Sequence, residues 1–144
     1  MNTNRLTAAW WALRIGLGGA AFLAGLDKFF NLLAFWPGYL SPLAAGALPV
    51  SATAFMHVIG IIEMAVGLAI LGGLTQLGGY VAAIWLLGIA LNLVTTGHYF
   101  DVAVRDVEMA IAAFTLARLT EAGVGAAIGE RVPSIASRTT RAVA

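Results

Sequence analysis

The sequence predicts an all-α integral membrane protein, a four-helix transmembrane bundle with an interfacial loop and short helix between spans one and two. Of its 144 residues, 60% are hydrophobic, and the mean hydropathy is +0.90. Only 10% are charged, against about 25% in a soluble domain. Two uncharged stretches, residues 29–62 and 64–100, each exceed the ~20 apolar residues that a spanning helix needs.

The composition also excludes several classes of protein. A net charge of +1, with no Lys/Arg cluster in the body of the chain, excludes a nucleic-acid binder. Because the chain has no cysteine, it forms no disulfide, no cysteine-ligated metal site and no thiol-based active site of its own. The spans leave no room for a separate soluble domain, so residues 1–119 are predicted to form one membrane domain.

The first two spans are identified by apolar runs and their boundary residues. Span one covers about residues 6–26, with Arg14 in its middle. Span two covers residues 53–72, with Ser51 or Thr53 as candidate N-cap and paired glycines at its end.

The third span covers residues 78–96, after a turn at residues 74–77 that is short enough to require an antiparallel hairpin. The fourth covers residues 102–119 and is the most amphipathic of the four. Residues 120–144 are polar and contain no motif, which predicts a partly disordered cytoplasmic tail.

The loop at residues 29–50 is apolar but too rich in proline to span a bilayer. Ser41 and Pro42 are typical of an N-cap and first turn, which predicts a short helix through Leu48. Aromatic residues favour the membrane interface. The loop is therefore either a cover that lies on the surface of the bundle or a lid over a pocket. Its aromatic residues are Phe29, Phe30, Phe35, Trp36 and Tyr39.

The distribution of arginine predicts the orientation in the membrane. Cytoplasmic segments carry an excess of Lys and Arg near the ends of spans. Arg5 precedes span one, and four arginines lie at or beyond the end of span four: Arg118, Arg131, Arg138 and Arg141. Both termini are therefore predicted to be cytoplasmic.

Charged side chains within spans are the functional candidates, because they are costly at bilayer depth. Arg14 and Lys28 lie on one face of span one with three small residues, Gly18, Ala21 and Gly25. Glu63 lies at a similar predicted depth in span two. We therefore expect Arg14 and Glu63 to pair, either to fix helix register or to handle a ligand or proton.

Span four carries a polar stripe at three- and four-residue spacing: Asp101, Arg105, Glu108, Ala112 and Thr115. We expect this stripe to face inward and to form a polar cavity in the outer half of the bundle. The other members of the predicted cluster are Asp27, Lys28, His57, Asn92, Thr95 and His98. No metal site is predicted, because the two histidines lack the spacing of a metal-binding pair.

Three segments together resemble the DoxX-like (DoxX/DoxD) family of small bacterial membrane proteins. They are LRIGLGGAAFLAGLDKFF at residues 13–30, GIIEMAVGLAILGGLTQLGGY at residues 60–80 and TTGHYFD at residues 95–101. The resemblance rests on Arg14, Gly25, Lys28 and Glu63, and it extends to about Leu119.

The resemblance implies a multi-pass protein of the bacterial cytoplasmic membrane that serves a redox-linked system, with Arg14, Lys28 and Glu63 lining a site for a quinone or small substrate. No covalent cofactor is expected, and a partner subunit or a bound cofactor would supply the electrons. The alternative is a non-catalytic accessory or assembly subunit of a larger membrane complex. The expected partners are the lipid bilayer and either other protein subunits or further copies of the chain. No nucleic acid is expected as a partner. The candidate substrate-binding residues are Arg14, Lys28, His57, Glu63, Asn92, Asp101, Arg105 and Glu108.

Overall fold

The computed structural model describes residues 3–125, and over this range the chain is helical with no β-strand. The elements are α1 (Thr3–Asp27), a 3₁₀ helix (Trp36–Tyr39), α2 (Pro42–Ala47), α3 (Ala52–Gly72), α4 (Thr75–Thr95) and α5 (Phe100–Glu121). Residues 120 and 121, predicted as the start of the tail, belong to α5. The remainder of the predicted tail, from residue 126, lies outside the described residues.

Three helices of the described range are long and apolar enough to cross a membrane: α1 from Arg5, α3 and α4. The 21 residues of α3 and of α4 extend over about 31 Å, which matches a hydrocarbon core of about 30 Å. Helix α5 has a similar length, 22 residues, but it carries six charged residues and does not qualify by composition. The chain thus has the spans of a multi-pass membrane protein, and the predicted fourth span is not confirmed.

Local sequence signals set the helix boundaries. Ser41 and Ser51 cap α2 and α3, accepting hydrogen bonds from the backbone N–H groups three residues on. Gly73 ends α3 with φ at +112°, a conformation that glycine adopts without strain. Helix α4 then begins at Thr75, three residues before the predicted span, so the hairpin turn is shorter than expected.

The long helices form two antiparallel pairs, α1 with α3 and α4 with α5. In the first pair, Gly25 lies against Gly60 so closely that a Cβ on Gly25 would be 2.6 Å from the Gly60 carbonyl oxygen. Gly18 and Gly67 make a second close contact, with a Cβ on Gly67 only 2.7 Å from the Gly18 carbonyl oxygen. Small residues thus set the distance and register of the two helices, as in many membrane proteins.

The second pair has similar contacts along its whole length. Gly79 of α4 lies against Ala113 and Ala117 of α5. At the other end of the pair, Ala90 and Ala103 belong to a shared buried cluster. Helix α5 therefore packs side by side with α4 from one end of the bundle to the other.

The bundle has two ends that differ in character. At the terminal end, where α1 and α4 begin and α3 and α5 end, the core is apolar and contains Trp10, Ile70 and Leu116. The indole N–H of Trp10 donates to the Thr120 hydroxyl at 2.7 Å and joins α1 to α5. At the loop end, where α1 and α4 end and α3 and α5 begin, buried residues include charged side chains, which make it the candidate functional region.

The first loop (residues 29–50) occupies space that the register of α1 and α3 leaves open. Gly25, two residues before the end of α1, lies opposite Gly60, eight residues into α3. Helix α3 therefore extends about six residues, roughly 9 Å, past the end of α1. The 3₁₀ helix of the first loop packs against α3.

We expect the contact between Gly25 and Gly60 to be intolerant of a methyl group. Gly25→Ala forces the two backbones apart and should lower the free energy of unfolding by about 1–3 kcal/mol. Gly19→Ala, on the same helix with nothing within 4 Å of its Cβ, should be neutral or stabilising by up to about 1 kcal/mol. Thermal unfolding in detergent, followed by circular dichroism, measures both. Equal stabilities of the two variants would contradict the close packing.

Candidate functional site

The centre of the loop end is a buried ion pair between Lys28 and Glu63. The Lys28 ammonium donates to Glu63 Oε2 at 2.5 Å, and the two side chains are 5% and 10% exposed. Lys28 follows the last residue of α1, and Glu63 lies in the middle of α3, on the face that carries Gly60 and Gly67. Such a pair is costly to desolvate but far more costly to break, because the remaining charge would be buried alone.

This pairing corrects the expected contact between Arg14 and Glu63. Arg14 instead donates from Nε to the carbonyl oxygen of Ile70 at 2.9 Å and from Nη2 to that of Leu71 at 2.6 Å. These carbonyls belong to the last turn of α3, where helical partners are missing and a cation is favourable. Arg14 thus stabilises the C-terminus of α3 at the terminal end and is not part of the Glu63 site.

The register of α1 and α3 explains why Lys28, and not Arg14, pairs with Glu63. The prediction assumed that the two helices reach the loop end at the same level. Because α3 extends about six residues past α1, Glu63 lies nearer the end of α1 than expected, and Arg14 lies level with the last turn of α3. The long Lys28 side chain spans the remaining distance to Glu63.

The ring of Trp36 covers the ion pair. Its centroid lies 3.8 Å from the Lys28 ammonium, a cation–π contact. The indole N–H donates to Asp27 Oδ2 at 2.7 Å, and the same carboxylate accepts from the backbone N–H groups of Leu32 and Leu33. Asp27, buried at 6% exposure, therefore shapes the first loop so that Trp36 lies over Lys28.

A second attachment joins the first loop to α4 and α5. Asn92 donates from Nδ2 to the Tyr39 carbonyl oxygen at 2.8 Å and accepts at Oδ1 from the Ser41 N–H at 3.1 Å. The ring of Tyr39 contacts that of Tyr99 at 4.6 Å between centroids. Asn92, predicted to bind substrate, thus uses its amide to hold the loop.

Two further polar groups lie near the ion pair. The indole nitrogen of Trp85, on α4, is buried close to the Glu63 carboxylate, and no described residue makes a hydrogen bond of normal geometry to it. The Asp106 carboxylate, on α5, is 8% exposed, and its nearest cationic group, Arg105 Nη2, is 3.7 Å away. Asp106 is near enough to interact electrostatically with both Glu63 and Lys28. Since buried polar groups are almost always hydrogen-bonded, the indole nitrogen of Trp85 requires an explanation.

The polar stripe of α5 faces away from this site, which corrects the prediction of an inward-facing stripe. Asp101, Arg105 and Glu108 are exposed, while Asp106 is buried. Asp106 was not among the predicted residues. It follows Ala103 and precedes Ala110 at helical spacing, and this line of small residues is the signal that could have identified the buried face.

His57 lies at the loop end, on the same helix as Glu63. It is half-buried, and its ring stacks on that of Phe29 at 4.8 Å between centroids and an interplanar angle of 13°. This contact packs the start of the first loop against α3.

An apolar groove of about 500 Å³ runs between α4 and α5 at the loop end. It is lined by Leu87, Ala90, Leu91, Val94, Phe100, Ala103, Val104, Val107 and Glu108. Its apolar lining differs from the polar cavity that the sequence predicts, and Glu108 is its only charged lining residue. Over the residues that the structure describes, no group of three or more acidic, histidine or cysteine side chains is placed to hold a metal ion.

We expect Lys28 and Glu63 to be energetically coupled. Lys28→Met leaves the Glu63 carboxylate buried without its cation and should lower the free energy of unfolding by about 3–5 kcal/mol. The double variant Lys28→Met/Glu63→Met removes both charges and should regain most of that loss. Thermal unfolding in detergent measures the cycle. A double variant as unstable as Lys28→Met alone would contradict the coupling.

No protein-family model, curated protein or solved structure matches this sequence. The resemblance to DoxX-like proteins therefore stays a prediction.

Proposed function

We propose that the protein binds a quinone or a similarly small, oxygen-bearing substrate at Lys28 and Glu63, as a DoxX-like membrane component of a redox-linked system. The observation that carries this proposal is the cluster of Lys28, Glu63, Trp85 and Asp106, in which the buried indole N–H of Trp85 has no hydrogen-bond partner among the described residues.

The cluster offers both donors and acceptors to one ligand. The Lys28 ammonium has three N–H donors, of which Glu63 accepts one, and the Trp85 indole supplies another unpaired donor. These groups suit a carbonyl oxygen. Asp106 and the second oxygen of Glu63 are acceptors and suit the hydroxyl groups of a quinol. Reduction of a quinone takes up protons and electrons in equal number, and buried carboxylates are suitable sites to hold those protons.

Trp36 supports a planar ligand. Its indole lies flat over the Lys28 ammonium, so an aromatic ring already occupies the position that a ligand ring would take. Movement of the first loop would let the ring of the ligand replace the ring of Trp36 over Lys28. The loop would then act as a lid. The α4–α5 groove, on the same turns of α5 as Asp106, suits the apolar tail of such a ligand.

We also infer that α5 is the fourth span. It packs along the whole length of α4, which is itself apolar and long enough to cross a bilayer, so the two helices lie at the same depth. With four spans the termini lie on one side, which is the cytoplasmic side by the arginine distribution. The first loop then lies at the outer face of a bacterial cytoplasmic membrane.

An accessory or assembly subunit is the second candidate function. The observation that favours it is the exposed charged stripe of α5, which suits contact with protein better than contact with lipid. In that case the Lys28–Glu63 pair only fixes helix register.

Quinone binding is testable with decylubiquinone and the purified protein in lipid nanodiscs. We expect saturable quenching of tryptophan fluorescence. Trp85→Phe keeps the ring and loses the unpaired N–H, so it should weaken binding by about tenfold, as expected for one lost hydrogen bond. The double variant Lys28→Met/Glu63→Met should abolish saturable quenching.

Arg118→Gln serves as the control, since Arg118 pairs with Glu121 at the terminal end and lies far from the cluster along α5. It should bind decylubiquinone as the wild type does. If quenching is unsaturable, or equal in the wild type and the double variant, the quinone proposal is wrong.

The fourth span is testable by cysteine labelling, because the chain contains no cysteine. We expect His98→Cys, in the turn between α4 and α5, to react with a membrane-impermeant maleimide in intact cells. Ala144→Cys should react only after the cells are permeabilised. Labelling of both positions from the same side would show that α5 does not cross the membrane.

A further inference from the structure

The first loop exposes large apolar side chains on the outside of the bundle. Four of them lie within residues 29–35 and are 62–82% exposed: Phe30, Leu32, Leu33 and Phe35. The loop contains no charged residue. An exposed apolar patch of this kind marks a contact with lipid or with another protein. The depth of the loop relative to the spans indicates which of the two applies.

The start of the loop lies beside the second and third turns of α3. The Phe29 ring stacks on that of His57, and a Cβ on Gly60 would be 3.1 Å from the same Phe29 ring. His57 and Gly60 are five and eight residues beyond Ala52, so they lie about 7.5 and 12 Å inside the start of α3. Since α3 is about as long as the hydrocarbon core is thick, Phe29 lies inside the boundary of that core.

The end of the same segment is level with the last turn of α4. Asn92 binds both the Tyr39 carbonyl oxygen and the Ser41 N–H. Asn92 precedes Thr95, the last residue of α4, by three residues, about 4.5 Å. Both ends of the 29–41 segment thus lie within the depth of the spans beside it.

Backbone N–H groups at this depth need acceptors from the protein, because hydrocarbon offers none. The first half of the segment has them. The N–H groups of residues 29–31 donate to carbonyl oxygens of the last two residues of α1. The Asp27 carboxylate accepts from the N–H groups of Leu32 and Leu33, and Asn31 Oδ1 accepts from that of Trp36.

The second half of the segment is satisfied in the same way. The N–H groups of Gly38 and Leu40 donate to carbonyl oxygens within the 3₁₀ turn, and that of Ser41 donates to Asn92. In water such a loop would need no side-chain acceptors, because the solvent would supply them. Here the backbone is bonded to protein acceptors while the apolar side chains point outward, a combination that suits contact with lipid.

We propose that residues 29–41 are embedded in the hydrocarbon core of the bilayer and that lipid acyl chains cover their exposed apolar side chains. Asp27 is the positioning residue, since its buried carboxylate supplies the acceptors that lipid lacks. The inference goes beyond the proposed function. It requires α3 and α4 to be spans, and it requires neither a quinone nor a fourth span.

Depth-dependent fluorescence quenching tests the inference, because the chain has no cysteine of its own. A fluorophore is attached to Leu33→Cys in the full-length protein, reconstituted in phosphatidylcholine liposomes. A nitroxide in the middle of the acyl chain should quench it about threefold more than a nitroxide on the headgroup. The reason is that Leu33 binds Asp27 at the end of α1, roughly 9 Å inside the start of α3.

Two labelled positions serve as matched controls. Ile84→Cys, in the middle of α4 and 74% exposed, should show the same preference for the acyl-chain nitroxide. His98→Cys, exposed and three residues beyond the end of α4, should prefer the headgroup nitroxide. A label at Leu33 that behaves like the one at His98, or that aqueous iodide quenches, would overturn the embedding.

Substitution of Asp27 tests its positioning role. Asp27→Ala removes the acceptors of two N–H groups, so the label at Leu33 should move toward the headgroups and lose its preference for the acyl-chain nitroxide. Asp27→Asn keeps an acceptor oxygen and should retain at least half of that preference. The label at Ile84 should be unaffected in both variants. An unchanged preference at Leu33 in Asp27→Ala would show that the carboxylate does not hold the segment at depth.

Photocross-linking in cells distinguishes lipid from a protein partner. Benzoylphenylalanine incorporated at Phe35 should yield no protein adduct on irradiation, because lipid surrounds this side chain. An adduct with a second copy of the chain or with a different protein would overturn lipid as the partner. Neither result depends on whether decylubiquinone binds, so this inference and the proposed function can fail separately.

Discussion

The buried ion pair of Lys28 and Glu63 is the interaction on which the loop end depends. It joins the end of α1 to the middle of α3, and its cation holds the ring of Trp36. Among the residues that the structure describes, neither charge has another partner of opposite sign in direct contact, so each requires the other. The position of the first loop follows from this pair, because Asp27 and Lys28 together fix the ring that closes over it.

The register of α1 and α3 determines which charges meet. Contacts between glycines leave no room for a side chain, so the two helices cannot slide by a turn without a clash. In this register, Arg14 donates to the carbonyl groups at the end of α3, and Lys28 pairs with Glu63. Arg14 and Lys28 therefore have different roles: Arg14 stabilises the C-terminus of α3, and Lys28 neutralises a buried acid.

The two sides of α5 have different surroundings. Asp106 is buried near the Lys28–Glu63 pair, whereas Glu108, two residues later, is exposed on the outer surface. A ligand at the cluster of Lys28, Glu63, Trp85 and Asp106 would supply a partner for the Trp85 indole N–H. The same helix thus contributes Asp106 to the proposed binding site and a charged stripe to the outer surface.

The sequence alone determined the helical class, the apolar spans and the cap at Ser41, and it limited the cap of α3 to Ser51 or Thr53, because these depend on residues close together in the chain. It also determined that Asp101, Arg105 and Glu108 share a face, since helical spacing sets that. It did not determine the direction of that face, the partner of Glu63 or the burial of Asp106 and of the Trp85 indole nitrogen. Those depend on contacts between distant segments, which only the packing of α1 on α3 and of α4 on α5 decided.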